Sequence, residues 1–174
     1  MRQQSRAMSK TPSKSVFRKM IASASPMLDA IIGDAVLSMP VFPLNTDGLD
    51  PSGSNVTIRR VNITNWDDSI AVKPGNKAYV VAKGGCARNI LVEDLNFKFG
   101  LGCAVGSVPP HKHHNCVNNV TFRNINLEYP VKSIYVKTNP LYGDGKNQSG
   151  EIYNILYENF KIHFPIMWNI YIGP

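Results

Sequence analysis

Four segments of the chain open on asparagine and then alternate apolar with polar positions: "NVTIRRVNI" from Asn55, "NILVEDLNF" from Asn89, "NVTFRNINL" from Asn119 and "NILYENFKI" from Asn154. Period-two alternation rich in β-branched residues predicts a strand with one buried face, because successive side chains of an extended chain point to opposite sides. A helix needs apolar positions three and four apart, so the helical alternative fails on period. A second short apolar run follows each segment: "SIAVKP" (69–74), "CAVGSV" (103–108), "SIYVKT" (133–138) and "NIYIGP" (169–174).

Each repeat therefore holds at least two strands, and the leading asparagines are 34, 30 and 35 residues apart. Gly and Pro mark the turns, and nothing between the runs reads as a helix. Helical repeats and leucine-rich horseshoes are thereby excluded. Propeller blades need four antiparallel strands over about 40 residues and hairpin signals such as Asn-Gly, which are missing. The pattern predicts an all-β fold, a parallel β-helix solenoid of about four to five coils over residues 41–174. Equivalent residues of such a solenoid stack about 4.8 Å apart, so Asn55, Asn89, Asn119 and Asn154 are expected to form a ladder of mutually bonded amides. That ladder competes with two of the four glycosylation triplets, those at Asn55 and Asn119; the others are at Asn62 and Asn147.

Residues 1–40 stand outside the repeat. Arg2, Arg6, Lys10, Lys14, Arg18 and Lys19 all precede the first acid, Asp29, so most of the net charge of +7 belongs to this segment. It reads as a basic, disordered or mispredicted start joined to a truncated β-helix, with an organelle transit peptide as the rival reading. A nucleic-acid arm is not supported, since the stretch carries one aromatic, Phe17, and no binding motif. Past residue 41 the balance is only mildly basic, which suits a polyanionic partner. The longest apolar candidate, "MLDAIIGDAVLSMPVF", is broken by Asp29, Asp34 and Pro40, so no membrane span is expected. Cys86, Cys103 and Cys116 contain no C-x-x-C spacing and allow at most one bridge.

The candidate chemistry lies in two acidic turns, "NTDG" (45–48) and "NWDD" (65–68). Each alone is ordinary turn sequence. Yet "VFPLNTDG" holds the strand position one short coil before "NWDDSIAV", a gap of 20 to 21 residues, which sets Asp47 beside Asp67 and Asp68 on neighbouring rungs. Three carboxylates on one patch raise at least one pKa, creating a proton donor beside ionised bases. Acid and base together are the equipment for glycosidic hydrolysis.

The order "NTDG", then "DD" (67–68), then a "GSV" strand (106–108), then "IYVKT" (134–138), on a β-helix repeat, resembles glycoside hydrolase family 28, the polygalacturonases and their relatives, over roughly residues 41–174. The resemblance implies a right-handed parallel β-helix that hydrolyses α-1,4 bonds of pectic galacturonan with inversion, works without a cofactor or metal, and acts as a secreted monomer at the cell wall. It also implies roles: Asp67 as the general acid, Asp47 and Asp68 as the groups activating water, and Lys137, which closes the family's Arg-Ile-Lys triplet, as partner of a galacturonate carboxylate. Two positions depart from the pattern. Leu101, in "GLG", stands where the family has the histidine of Gly-His-Gly, and Tyr135 stands where the triplet has arginine. Leucine neither holds a proton nor steers a carboxylate, and Tyr135 can stack on a sugar but brings no charge, which argues against ordinary polygalacturonan as substrate. His111, His113 and His114, on a Pro-flanked loop, read as solvated, with replacement of the missing histidine or metal binding as the alternatives.

Neighbouring rungs imply carboxylates about 5 Å apart, nearer the retaining than the inverting range, so inversion rests on the resemblance. Two rival functions remain: a noncatalytic carbohydrate-binding solenoid, and a β-helical lyase, for which no further acidic cluster suggests calcium. All three depend on whether the coils bring the three acids onto one face.

Overall fold

The computed structural model describes residues 30–33, 36–38, 45–75, 85–138 and 147–173. Those residues form eleven strands and no helix. They are β1 (Ala30–Gly33), β2 (Val36–Ser38), β3 (Ser54–Arg59), β4 (Asn62–Thr64), β5 (Ile70–Val72), β6 (Gly85–Lys98), β7 (Cys103–Val105), β8 (Asn115–Glu128), β9 (Lys132–Lys137), β10 (Gly150–His163) and β11 (Trp168–Gly173). One wall stacks β1, β3, β6, β8 and β10, with β2 and β4 continuing its first two rungs; the second stacks β5, β7, β9 and β11. Every strand pair is parallel. The predicted parallel β-helix is thus the observed fold, with β1 and β2 extending its first wall to the N-terminal side of residue 41. The expectation of disorder concerns residues that lie mostly outside those described.

The repeat spacing reappears as strand register. Val56 pairs with Ile90, Ile90 with Val120 and Val120 with Ile155, offsets equal to the separations of the leading asparagines. Alternation along each rung is not unbroken, however. In β6 the buried positions are Ala87, Ile90, Val92, Leu95 and Phe97, and between Val92 and Leu95 the phase slips by one residue at Asp94. Asp94 has φ of +59°, and its equivalents Arg60, Asn124 and Asn159 are left-handed too. A left-handed residue bends the rung and returns the next side chain to the interior; Asn and Asp tolerate this conformation better than most residues.

The asparagines that lead each segment mark an earlier bend of the same kind, with φ between +50° and +59° at Asn55, Asn89, Asn119 and Asn154. Asn89 donates to Asn55 at 3.0 Å and Asn119 donates to Asn89 at 2.8 Å, which joins three of the four asparagines expected in the amide ladder. Asn62, Asn96 and Asn126 form a second one, engaging the triplet at Asn62 as well. Asn147 lies in an exposed turn. A third column, not anticipated from the sequence, is aromatic: Trp66, Phe99, Tyr129 and Phe164 stack with centroids 4.4, 6.0 and 5.3 Å apart.

Between the walls, Val56, Ile58, Val92, Phe122, Ile125 and Leu127 belong to one buried cluster. Phe122 is fully buried and its ring lies 4.9 Å from that of Tyr157. Cys86 and Cys116, level with each other on β6 and β8, form the one bridge the sequence allowed, and Cys103 is a buried free thiol. The "GSV" stretch is not a strand, since β7 ends at Val105. Gly106 there has φ of +114°, and a Cβ on it would lie 2.6 Å from the carbonyl oxygen of Lys137, so only glycine fits against the next rung.

Candidate active site

Between β4 and β5 the chain turns through "NWDDS", and Asn65 at its start is fully buried. Its amide donates to the carbonyl oxygens of Thr46 (2.9 Å), Asp67 (2.8 Å) and Asp68 (2.9 Å), and its own oxygen accepts from the Ser69 hydroxyl at 3.0 Å. One buried side chain thereby ties the first acidic turn to the second. Gly100 packs against this turn with φ of +71°; a Cβ there would sit 2.7 Å from the Asn65 oxygen and 2.8 Å from the Asp67 carbonyl. The Asp47 segment is laid alongside by Gly48 N–H donating to Asp68 O at 2.8 Å and Leu49 N–H to Ser69 O at 3.1 Å. Leu49 forms a parallel bridge with Ile70, which is the short coil inferred from the 20- to 21-residue gap.

Asp67 is half-buried and held from both sides, one oxygen accepting from its neighbour's N–H (Asp68, 2.8 Å) and the other from Asn45 N–H (3.1 Å). Asp68, the next residue, is 1% exposed and pairs with Lys137, while its second oxygen is buried without a hydrogen-bond partner among the described residues. Burial pushes its carboxyl up to about 6, against the pull of Lys137 and with help from the charges of Asp67 and Asp47. Asp47 is buried and paired with Lys73 at 3.0 Å, and the same ammonium lies 2.7 Å from Asp50. Burial also raises the Asp50 carboxyl, despite Lys73. For Lys73 itself burial acts downward, but the bond to Asp50 and the charges of Asp50 and Asp47 outweigh it and hold the ammonium above its usual range.

Lys137 stands level with Gly106 on the intervening rung and reaches Asp68 from two strands away. Tyr135 is level with Ala104 and Ala71, so two small residues leave the wall shallow beside the acids. The Lys132 ammonium lies 3.7 Å from the Tyr135 ring centre and 4.1 Å from that of Tyr171, and Lys137 lies 4.7 Å from Tyr135. Burial and then Lys137 lower the Lys132 ammonium, while Asp68 and Asp67 raise it, which shows the two lysines and the acids sharing one field.

Asp47, Asp67, Asp68, Lys137 and Tyr135 therefore meet on one patch. Leu101 is tied to the same turn through its backbone, its N–H donating to the Asp67 carbonyl at 2.8 Å. The histidine loop is engaged with the first wall: His114 is 2.9 Å from the Ser149 hydroxyl and 3.8 Å from Glu151. Sequence reasoning missed Asn65, Asp50, Lys73 and Lys132. Lys73 had a signal, since it closes "SIAVK" as Lys137 closes "SIYVK". Asn65 had none, because a buried amide and a surface turn former look alike in one sequence.

Acids of different burial, with two lysines paired to them and a tyrosine beside them, make a site that can hold and transfer protons next to fixed positive charge. Comparison with known proteins supplies the family. The family model for glycosyl hydrolases family 28 matches residues 17–172. Similar proteins include a probable rhamnogalacturonase E of Aspergillus flavus, 32% identical over 146 residues, covering 80% of this chain and 28% of that one. A rhamnogalacturonase A of Aspergillus aculeatus is 31% identical over 117 residues, 67% of this chain and 22% of its own length. A probable endo-xylogalacturonan hydrolase A of Aspergillus fumigatus is 34% identical over 130 residues, 74% and 29%. The chain spans less than a third of the length of these relatives. No solved structure is a significant match.

Proposed function

The chain belongs to glycosyl hydrolases family 28, and from that premise we propose that it carries the acid cluster of a pectin-directed glycosidase. The substrate is a uronate-containing chain closer to rhamnogalacturonan or xylogalacturonan than to plain polygalacturonan. One observation carries the reading: Asp47, Asp67 and Asp68 lie on adjacent rungs with hydrogen bonds and charge partners that orient each one.

Family membership assigns Asp67 the proton donated to the leaving glycosidic oxygen as the bond to the anomeric carbon breaks, while burial pushes up the carboxyl of its neighbour Asp68. Water attacks that carbon from the opposite face and loses its proton to Asp47 or Asp68; solvent then resets both groups. Lys73 keeps positive charge against Asp47, and Lys137 does so for Asp68. Tyr135 in place of arginine removes one cation from the family's triplet. Lys132, over the Tyr135 ring, supplies one from three residues earlier, for a uronate carboxylate. The names of the relatives, with Leu101 and Tyr135 at the departing positions, favour the rhamnose- or xylose-containing substrates. The Cys86–Cys116 bridge fits an extracellular, oxidising setting. No helix of the described residues is long and apolar enough to cross a membrane. A monomer working on cell-wall polysaccharide, with no nucleic-acid partner, completes the proposal.

The test is release of reducing ends from rhamnogalacturonan, xylogalacturonan and polygalacturonan, with Asp67→Asn as the critical variant. Loss of a general acid lowers turnover by about 10²- to 10⁴-fold with oligosaccharide binding kept. Unchanged turnover removes Asp67 from the mechanism. The configuration of the first product, read by NMR, tests inversion. Leu101 in the histidine's place favours one second reading, a noncatalytic carbohydrate-binding solenoid; binding of all active oligosaccharides without turnover by the unaltered protein selects it.

A further inference from the structure

We propose that Cys86, Cys116, His114 and Glu151 form a site for a soft divalent cation of the zinc type, available when the Cys86–Cys116 bridge is reduced. Cys86 is in register with Cys116, and Cys116 with Glu151, so three consecutive rungs present these side chains on one face. The two sulfurs and a ring nitrogen of His114 all lie within 4.8 Å of one another. The His114 Nε2 atom is 3.8 Å from a Glu151 carboxylate oxygen; Glu151 stands outside the three-residue group and must swing in by side-chain rotation to act as the fourth donor. Two thiolates, an imidazole and a carboxylate are the donor set of a tetrahedral zinc centre. Bond lengths of about 2.0–2.3 Å put such donors about 3.3–3.8 Å apart, so after reduction the two sulfurs must part and the His114 ring must move in by side-chain rotation.

The surroundings fit the same chemistry. Nδ1 of His114 is 2.9 Å from the Ser149 hydroxyl. An Nδ1–H donating to that oxygen leaves Nε2 unprotonated, with the lone pair a metal-ligating histidine requires. His114 is itself pinned in a turn, with its N–H donating to His111 O at 2.9 Å and its carbonyl accepting from Gly85 N–H at 3.2 Å. The His114 and Glu151 side chains are 39% and 59% exposed, so an ion reaches the donors from solvent.

In the bridged state each sulfur is bonded to the other and carries no charge. Two equivalents of a thiol, RSH, convert the bridge to two cysteine thiols and RSSR. Metal binding then releases both thiol protons, and the thiolates become ligands. Bound metal and closed bridge are mutually exclusive, so each protects against the other.

The test uses the whole chain with cobalt(II) as the probe. After reduction by a phosphine, one cobalt per chain is expected to bind, with a thiolate charge-transfer band in the near ultraviolet, tetrahedral bands in the visible, and displacement by zinc. The oxidised chain shows none of these. His114→Ala weakens cobalt binding by about tenfold or more, Cys86→Ser removes most of the charge-transfer band, and Cys103→Ser changes nothing. Equal binding by oxidised protein, no charge-transfer band in reduced protein, or indifference to His114→Ala overturns the proposal. Should reduction alone unfold the chain by circular dichroism, zinc must restore the β signal in the parent and not in His114→Ala; failure to restore it is equally fatal.

Discussion

Replacing Asp68 by asparagine is predicted to stabilise the protein at neutral pH although it removes an ion pair. The Asp68 carboxyl titrates at about 6 in the fold against 3.8 for an ordinary aspartate, and its side chain is almost fully buried. A raised folded value means the fold holds the proton more tightly than the unfolded chain does. The favourable contribution is complete below pH 3.8, fades as pH rises, and is gone above about 6, where the charged group must be kept buried. A difference of about 2 units at about 1.4 kcal/mol each makes the cost roughly 3 kcal/mol. Asparagine mimics the protonated acid at every pH and escapes that cost. In both proteins at low pH, Lys137 faces a neutral partner, and with 18% of its side chain exposed it reaches water. Urea unfolding of parent and Asp68→Asn between pH 4 and 8 is the assay. The stability gap should open through pH 4 to 6 and level off near 3 kcal/mol in favour of the variant, equivalent to about 6–12 °C in Tm for a chain of this size. A gap that stays constant with pH, or that opens in favour of the parent, would show that pairing with Lys137 outweighs burial and refute the reasoning.

Two further outcomes follow from other parts of the structure. Asn89→Ala should cost about 2–3 kcal/mol in the same unfolding assay, because alanine is strained at φ of +56° and drops the amide bonds to Asn55 and Asn119. Asn89→Gly relieves the strain and should be the milder change; the reverse order would mean that the left-handed backbone contributes little to the cost. For the proposed reaction, Lys132→Gln should raise KM on uronate oligosaccharides by about 5- to 30-fold, the effect of about 1–2 kcal/mol of lost charge-assisted bonding, with kcat nearly unchanged. Steady-state kinetics at two salt concentrations checks it, since a lost cation also flattens the salt dependence.

Much of this protein is legible in one dimension because an in-register parallel solenoid converts sequence spacing into strand register. The 34-, 30- and 35-residue intervals between Asn55, Asn89, Asn119 and Asn154 are the offsets at which β3, β6, β8 and β10 pair. Identical residues at those intervals stack, so the amide ladder and the meeting of Asp47 with Asp67 and Asp68 are consequences of spacing alone. The slip of phase at Asp94 and its equivalents did have a signal, the doubled polar pairs Arg59-Arg60, Glu93-Asp94, Arg123-Asn124 and Glu158-Asn159 that interrupt the alternation.

Tertiary structure decided what spacing leaves open. Asp67 and Asp68 are neighbours of one residue type, yet the first is fixed by two backbone N–H groups while the second is buried against Lys137. Their difference comes from which side of the wall each faces in a turn organised by Asn65, a matter of three-dimensional packing. The Lys73 bridge between Asp47 and Asp50, the reach of Lys137 past Gly106, and the seat of Lys132 over Tyr135 likewise join residues from different coils. The sequence by itself determined the β-helix, its register and the gathering of the three acids. Which acid resists ionisation, and which cations attend each, depends on solvent exclusion between coils, a property that exists only once the chain is wound.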